Sequence, residues 1–350
     1  MSILYHERPG VYSQYEASRI TATGSGVKTV ALIGTSNAPA GLYTVTAYAD
    51  GAAKFGAESA LGQMLKAACD NGAGNILAYS VEEDTLSAYE AAFRAVFDEK
   101  EASLCAVAST LEAVHTALRD AVVKASEQKG ECIGIVGLCA PDTETLLHRA
   151  ETLNCERMVL LGPDVYRGGE AEPAGGYLAA AALCGILAAQ DDPALPLNGA
   201  ALQGFSAVTA RYEDGEIDTL VRGGVTVLES AGGKVTVLRG ITTKKTVGEG
   251  CDTTYRELGT VLVIDDVIPG IRRALAARFP RAKNSLATRA AIRSQVIVEL
   301  ESRKQREIID SYDNVTVEAS STDSTTALVR FGFHVTAGLN RIHLTAHVTV

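Results

Sequence analysis

His343 and His347 stand four residues apart, a spacing that on one helix face would let two imidazoles share a zinc ion. Their setting is Ile342-His343-Leu344-Thr345-Ala346-His347-Val348-Thr349-Val350, a strict alternation of apolar and polar residues. That is a strand pattern, and four residues of strand cover about 13 Å, too far for one metal to bond both rings. Cys132 and Cys139 flank an apolar run seven residues apart and make no zinc knuckle. Asp265-Asp266 would point to opposite faces of an extended segment, and they read instead as the cap of a helix starting near Pro269. Glu82-Glu83-Asp84 precedes a helical pattern and suits its N-terminal dipole end. Gly34-Thr35-Ser36-Asn37-Ala38 nearly spells a nucleophile elbow, but Ala replaces the final Gly, and Pro39-Ala40-Gly41 follows where a helix must begin. Gly24-Ser25-Gly26 precedes a strand, whereas a dinucleotide fingerprint follows one. Residue types that carry catalytic, metal and phosphate chemistry are all present. Their spacing assembles none of it, so neither a catalytic site nor a cofactor is expected.

The elements that would have to position such groups are easier to read. From Val27 to Gln190 strand and helix signals alternate. Strands are expected at Val27–Gly34, Asn75–Val81, Leu104–Ala108, Ile133–Leu138 and Met158–Leu161. Helices are expected at Ser59–Cys69, Thr85–Phe97, Thr110–Glu127, Thr143–Glu151 and Gly176–Gln190. Such alternation implies an α/β domain, a mostly parallel sheet with helices on both faces, and the uniformly apolar strands agree. A break follows at Asp191-Asp192-Pro193-Ala194-Leu195-Pro196. Beyond it, Gly223–Leu228 and Lys234–Arg239 form a hairpin around Ser230-Ala231-Gly232-Gly233. A mainly helical stretch from about Thr254 to Ile309 is interrupted near Pro269 and Pro280, and strand signals follow at Val315–Ala319, Thr326–Thr336 and Arg341–Val350. This half reads as α+β. The expected organisation is an extended arm at 1–26, an α/β sheet domain at 27–195, an α+β domain at 196–340 and a strand arm at 341–350.

Composition narrows the function. The 350 residues are 47% hydrophobic and 21% charged, with a formal charge of −10, which suits a globular chain and disfavours a coat for nucleic acid. Trp is absent and aromatics are 5%, so stacking platforms for single strands are not expected. The longest apolar run, Tyr177–Ala189, is too short to span a membrane. Seven cysteines in an odd, scattered set read as reduced thiols.

Two patterns point to self-assembly. Both ends look like lone strands, and a lone strand must join a sheet edge, its own or a neighbour's. The apolar positions Ile342, Leu344 and Val348 set the expected buried face of the second, and the hairpin valines Val225, Val227, Val235 and Val237 offer an edge. The second pattern is charge. Between Val267 and Val298 stand Arg272, Arg273, Arg278, Arg281, Lys283, Arg289 and Arg293, with no Asp or Glu. That window carries +7, so the rest of the chain carries −17.

Glu7-Arg8-Pro9-Gly10-Val11-Tyr12 near the start, and Arg239-Gly240-Ile241-Thr242-Thr243 leaving the hairpin, resemble the tail sheath proteins of contractile phages and of phage-tail-like bacteriocins. The resemblance runs over the whole chain, most strongly in its second half. It implies a structural, non-enzymatic subunit that polymerises as stacked rings or a helix around an inner tube protein, contracts, and drives that tube through an envelope. It further implies baseplate and tail terminator partners, no nucleic acid, no membrane insertion, assembly in a bacterial host cytoplasm, and residence in a virion tail or released particle. On it, Pro9, Gly10, Val11, Tyr12 and residues 341–350 act as inter-subunit arms, and the basic window faces the tube. A soluble α/β enzyme or ligand-binding protein is the alternative; hollow tubes or dispersed particles in electron micrographs separate the two.

Overall fold

The computed structural model describes residues 28–99, 101–139, 142–247, 250–251, 254–340 and 344–345. In chain order the elements are β1 (Thr29–Thr35), β2 (Gly41–Val45), α1 (Tyr48–Phe55), α2 (Ala60–Asp70), β3 (Ile76–Val81), α3 (Leu86–Asp98), β4 (Ala102–Val107), α4 (Glu112–Glu127), β5 (Ile133–Gly137), α5 (Thr143–Leu153), β6 (Met158–Gly162), β7 (Val165–Arg167), α6 (Gly176–Ala189), β8 (Ala201–Leu202), β9 (Phe205–Val208), α7 (Asp214–Arg222), β10 (Val225–Ala231) and β11 (Lys234–Val237). They continue with β12 (Thr246–Val247), β13 (Gly250–Cys251), α8 (Leu258–Arg278), α9 (Leu286–Gln305), β14 (Ile309–Ala319) and β15 (Ala327–Val335). The chain divides into two compact bodies. The larger holds the described residues of 27–191, 195–261 and 338–350; the smaller holds Asp192–Ala194 and Leu262–Ala337.

The larger body is built on a nine-stranded sheet in the order β2-β3-β1-β4-β5-β6-β10-β11-β8. Pairings from β3 through to β10 are parallel, and β2, β11 and β8 join antiparallel at the flanks. The middle strands are buried along their length because helices cover both faces. On one side α2 packs on β1 and α6 on β4 and β5; on the other lie α3, α4, α5 and α7. The Ser59 side chain caps α2 by accepting from the Gly62 amide at 3.0 Å, and Asp142 caps α5 by accepting from Thr145 at 2.8 Å. The Ala-rich α6 is apolar all round and is accordingly buried on nearly every side.

The expected alternation of strand and helix is observed, and β10–β11 is the expected hairpin. Its place differs from the expected domain division at 195/196, because β10 pairs in parallel with β6 and so extends the same sheet. Pairing between residues some sixty-five positions apart leaves no local trace in sequence, while the Pro-rich break at 191–196 does. The motif leaving the hairpin has a structural reason. The Thr226 hydroxyl donates to the Ile241 carbonyl and accepts from its amide at 2.8 and 2.9 Å. Thr243 makes the same reciprocal pair with Cys155, both bonds at 3.0 Å, and Thr242 donates to Tyr255 at 2.7 Å. All three threonines are fully buried, so each hydroxyl satisfies backbone groups that water cannot reach.

The smaller body packs α8 and α9 against the β14–β15 ribbon around Val263, Val267, Ile271, Val296, Leu300 and Phe333. Asp265-Asp266 do not cap a helix starting near Pro269. α8 begins at Leu258 and runs through Pro269. Asp266 instead faces Arg303 of α9 at 3.9 Å, and Arg303 also binds Glu299 at 2.7 Å. A proline inside a helix is rare enough that sequence reading places it at a start.

His115 on α4 is fully buried. Arg149 of α5 donates to its Nδ1 at 2.8 Å, and its Nε2 lies 2.7 Å from the Ser109 carbonyl. Arginine can only donate, so Nδ1 accepts and Nε2 carries the proton to Ser109. Burial, with the Arg149 cation adding to it, lowers the pKa from 6.5 to about 4. The unfolded chain therefore takes up a proton that the folded chain refuses. Stability is lost as pH falls from about 6.5 towards 4, by on the order of 3 kcal/mol at the lower end. Urea midpoints measured from pH 7.5 to 4.5 should fall more steeply for the native chain than for His115→Gln; parallel curves would refute this.

Candidate assembly interface

Open α/β sheets place ligands at the carboxyl ends of strands where the strand order reverses, here between β1 and β4. That crevice is filled by the chain itself. A Cβ on Gly34, at the end of β1, would come within 2.8 Å of the Ala108 Cβ, just past β4. The Ser36 hydroxyl of the near-elbow pairs with the Ser80 hydroxyl at 2.8 Å, and the Ala38 amide donates to it at 3.1 Å, so it serves a turn. Cys139 and Asp164 follow β5 and β6. Desolvation chiefly, and then the Asp164 carboxylate, raise the Cys139 thiol, the opposite of what an activated nucleophile needs. No group of three or more His, Cys, Asp or Glu with metal-binding geometry occurs among the described residues.

The edges are more informative. Val225, Val227, Val235 and Val237 are all buried in the core of the larger body. The hairpin's outer side is not open, because β8 pairs with β11 at Leu202↔Val235 and Ala201↔Thr236. Valine-rich alternation reads equally as an edge strand or as a core strand, and only the β8 pairing decides between them.

The ribbon in the smaller body is different. β14 and β15, 11 and 9 residues long, pair only with each other among the described residues. Each therefore carries one row of backbone donors and acceptors without a strand partner. α9 packs against β14, so one face is covered, while among the described residues neither outer side has a strand partner. A bulge interrupts the register between Asp313 and Thr316, with Asn314 at φ 51°.

The basic window is split by the structure. Arg272 is half-buried and Arg273 exposed on α8, whose Arg273 Nε donates to the Pro269 carbonyl at 3.4 Å. Arg278 bonds Gln295 of α9, which in turn donates to Glu299 at 3.0 Å. Arg289 donates to Asn284 at 3.0 and 3.2 Å, and Asn284 donates to Ser324 and Thr326 at the far end of the ribbon at 2.7 and 3.2 Å. Arg293 donates to the Val315 carbonyl in the bulge at 2.8 Å. Arg281 and Lys283 are exposed in the 279–285 connection. So Arg278, Arg289 and Arg293 brace the smaller body, while Arg273, Arg281 and Lys283 present charge outward.

Pro9, Gly10, Val11, Tyr12, Ile342, His343, His347 and Val348 lie outside the described residues. Leu344 is described and is 90% exposed, the most exposed large apolar side chain among them. Sequence reading missed the buried Arg303 cluster and the pairing of Asn198 with Asn340 at 2.7 Å, since neither has a local pattern.

The chain matches the family model of the phage tail sheath protein central domain over residues 82–243, and that of the phage tail sheath C-terminal domain over 251–349. Its fold resembles the helical sheath of the anti-feeding prophage in the contracted state, with a TM-score of 0.74 at 17% identity over 98% of this chain and 99% of that one. It also resembles a sheath tail protein from Desulfitobacterium hafniense, with a TM-score of 0.69 at 13% identity over 93% of this chain and 100% of that one. The contracted sheath complex of an extracellular contractile injection system gives a TM-score of 0.70 at 12% identity over 99% of both chains. No curated protein sequence matches.

The split among the cations can be measured. Arg293→Ala removes the donor to a bulge carbonyl and should lower subunit stability by about 1–2 kcal/mol in urea unfolding. Arg281→Glu and Lys283→Glu, whose side chains are exposed in the 279–285 connection, should stay within about 0.5 kcal/mol of the native chain. Equal effects would show that the assignment is wrong.

Proposed function

Since the chain belongs to the phage tail sheath family, we propose that it works as a polymer around an inner tube, with both terminal arms joining neighbouring subunits and a basic surface facing the tube. It is the subunit of a contractile tail sheath, and the family is a structural one. The work of contraction then comes from interfaces gained between subunits and needs no catalytic centre.

The observation that carries the assembly reading is the β14–β15 ribbon. A two-stranded ribbon in water is marginal, and added strands complete it. The residues at 341–350 alternate as such a strand must, and the 90% exposure of Leu344 leaves that apolar side chain for burial elsewhere. The tube contact is carried by Arg272, Arg273, Arg281 and Lys283, with Arg278, Arg289 and Arg293 holding the surface in shape. Complementary charge gives orientation and a contact that yields during contraction, so an acidic outer surface on the tube protein is expected. Baseplate and terminator proteins cap the polymer's ends. Assembly takes place in a bacterial host cytoplasm before the sheath becomes part of a tail.

Electron microscopy tests the arms. Deletion of residues 1–20 or of 341–350 should leave folded subunits that no longer form tubes, and normal tubes from either truncation would sink the idea. Leu344→Asp should block assembly while Thr345→Asp is much milder, because only the first buries a charge on the inserted face. Arg273→Glu, Arg281→Glu and Lys283→Glu combined should impair decoration of inner tubes and spare sheath-only polymers. Unchanged decoration at low and high salt would remove this surface from the tube contact.

A further inference from the structure

Both arms meet the described structure at one place. Lys28, the first described residue after the N-terminal arm, donates its ammonium to the Leu187 carbonyl at 2.7 Å and to the Gln190 carbonyl at 2.8 Å. These are the last turn of α6 and its C-cap, where unpaired carbonyls and the helix dipole favour a cation. The Gln190 side chain donates to the Leu195 carbonyl at 2.8 Å and so ties the α6 end to the segment that follows. Three residues on, the Asn198 side chain donates to Asn340 Oδ1 at 2.7 Å. Pro196 packs so closely on Gly338 that a Cβ there would sit 2.8 Å from the proline ring. Asn340 immediately precedes the C-terminal arm.

We infer that residues 187–190 and 195–198 form a common platform that holds the roots of both arms and sets where each leaves the subunit. The inference rests on the reading that the arms join neighbouring subunits. The physical gain is one of search. An arm tethered at a fixed point reaches a neighbour's edge at a higher effective concentration than one that swings freely. It also has less freedom left to lose on pairing. Asn198, Asn340, Gln190 and Lys28 are therefore positioning residues that bias where the arms go. Gly338 is required because the platform proline lies against it.

Two measurements on the full chain decide it. In the first, Asn198→Asp with Asn340→Asp leaves two acceptors facing each other and no donor. The critical concentration for tube formation should rise by about tenfold, with the subunit's thermal midpoint unchanged. Asn198→Lys with Asn340→Asp replaces the hydrogen bond by an ion pair and should restore assembly. Normal assembly of the first pair, a matching fall in thermal midpoint, or no rescue by the second pair each overturns a positioning role. In the second, amide hydrogen exchange is read on the unassembled subunit carrying Gln190→Ala. Exchange should quicken about fivefold at both 28–30 and 338–340. A change at one end only, or at neither, overturns the common platform. Absence of tubes from the native chain would count against the arm reading alone, since the exchange measurement judges the platform without any assembly.

Discussion

A β-strand exposes a row of backbone donors and acceptors on each side, and each row must be paired, covered or wetted. The nine-stranded sheet and the β14–β15 ribbon meet that constraint in opposite ways. The nine-stranded sheet ends in short strands, five residues at β2 and two at β8, so little edge is left to pair. Its middle strands are covered on both faces and can be apolar throughout. The β14–β15 ribbon does the reverse, being long, two-stranded and backed by a helix on one face only. Among the described residues one sheet ends in short strands and the other keeps two long unpaired sides, which suits the proposed addition of strands from neighbouring subunits.

Buried polar groups fix the arrangement within each body. Thr226, Thr242 and Thr243 stitch the hairpin exit to β10, to Tyr255 and to Cys155 just before β6 without burying a charge. Arg303 is 8% exposed and faces both Glu299 and Asp266 between α8 and α9. Desolvation lowers its pKa, and the two carboxylates oppose that. Removal of one partner from such a cluster leaves an uncompensated charge, so the helix pair either holds its register or comes apart.

Much of this was legible in the sequence. Uniform apolar runs such as Val30–Ile33 and Ile133–Val136 announce strands buried on both faces, and Ser59 and Asp142 mark helix starts by their chemistry. β2 and α1 were not read, because Pro39, Gly41, Gly51 and several small residues hide their periodicity. Pairing of β10 with β6 was invisible for a different reason: it is a long-range choice, and the hairpin's own pattern is the same in a separate domain. Count and sign located the basic window, but not which cations are spent on Asn284 and Val315. Charge is a property of composition, whereas its availability depends on what each guanidinium reaches.

Contraction asks the two classes of contact to behave differently. On the proposed function, subunits slide relative to an inner tube and yet stay linked to one another. Exposed ion pairs contribute roughly 0–1 kcal/mol each and are screened within about 8 Å at physiological salt. On the proposed tube-facing role, contacts through Arg273, Arg281 and Lys283 would be individually weak and could re-form one after another along a charged surface. An added strand behaves otherwise, since its backbone hydrogen bonds share one register and a one-residue slip turns every side chain to the wrong face. Leu344 would then face water and Thr345 the core. On the proposed contacts, register would make the strand contact all-or-none and charge the tube contact graded, which suits a sheath that must hold, slip and remain whole.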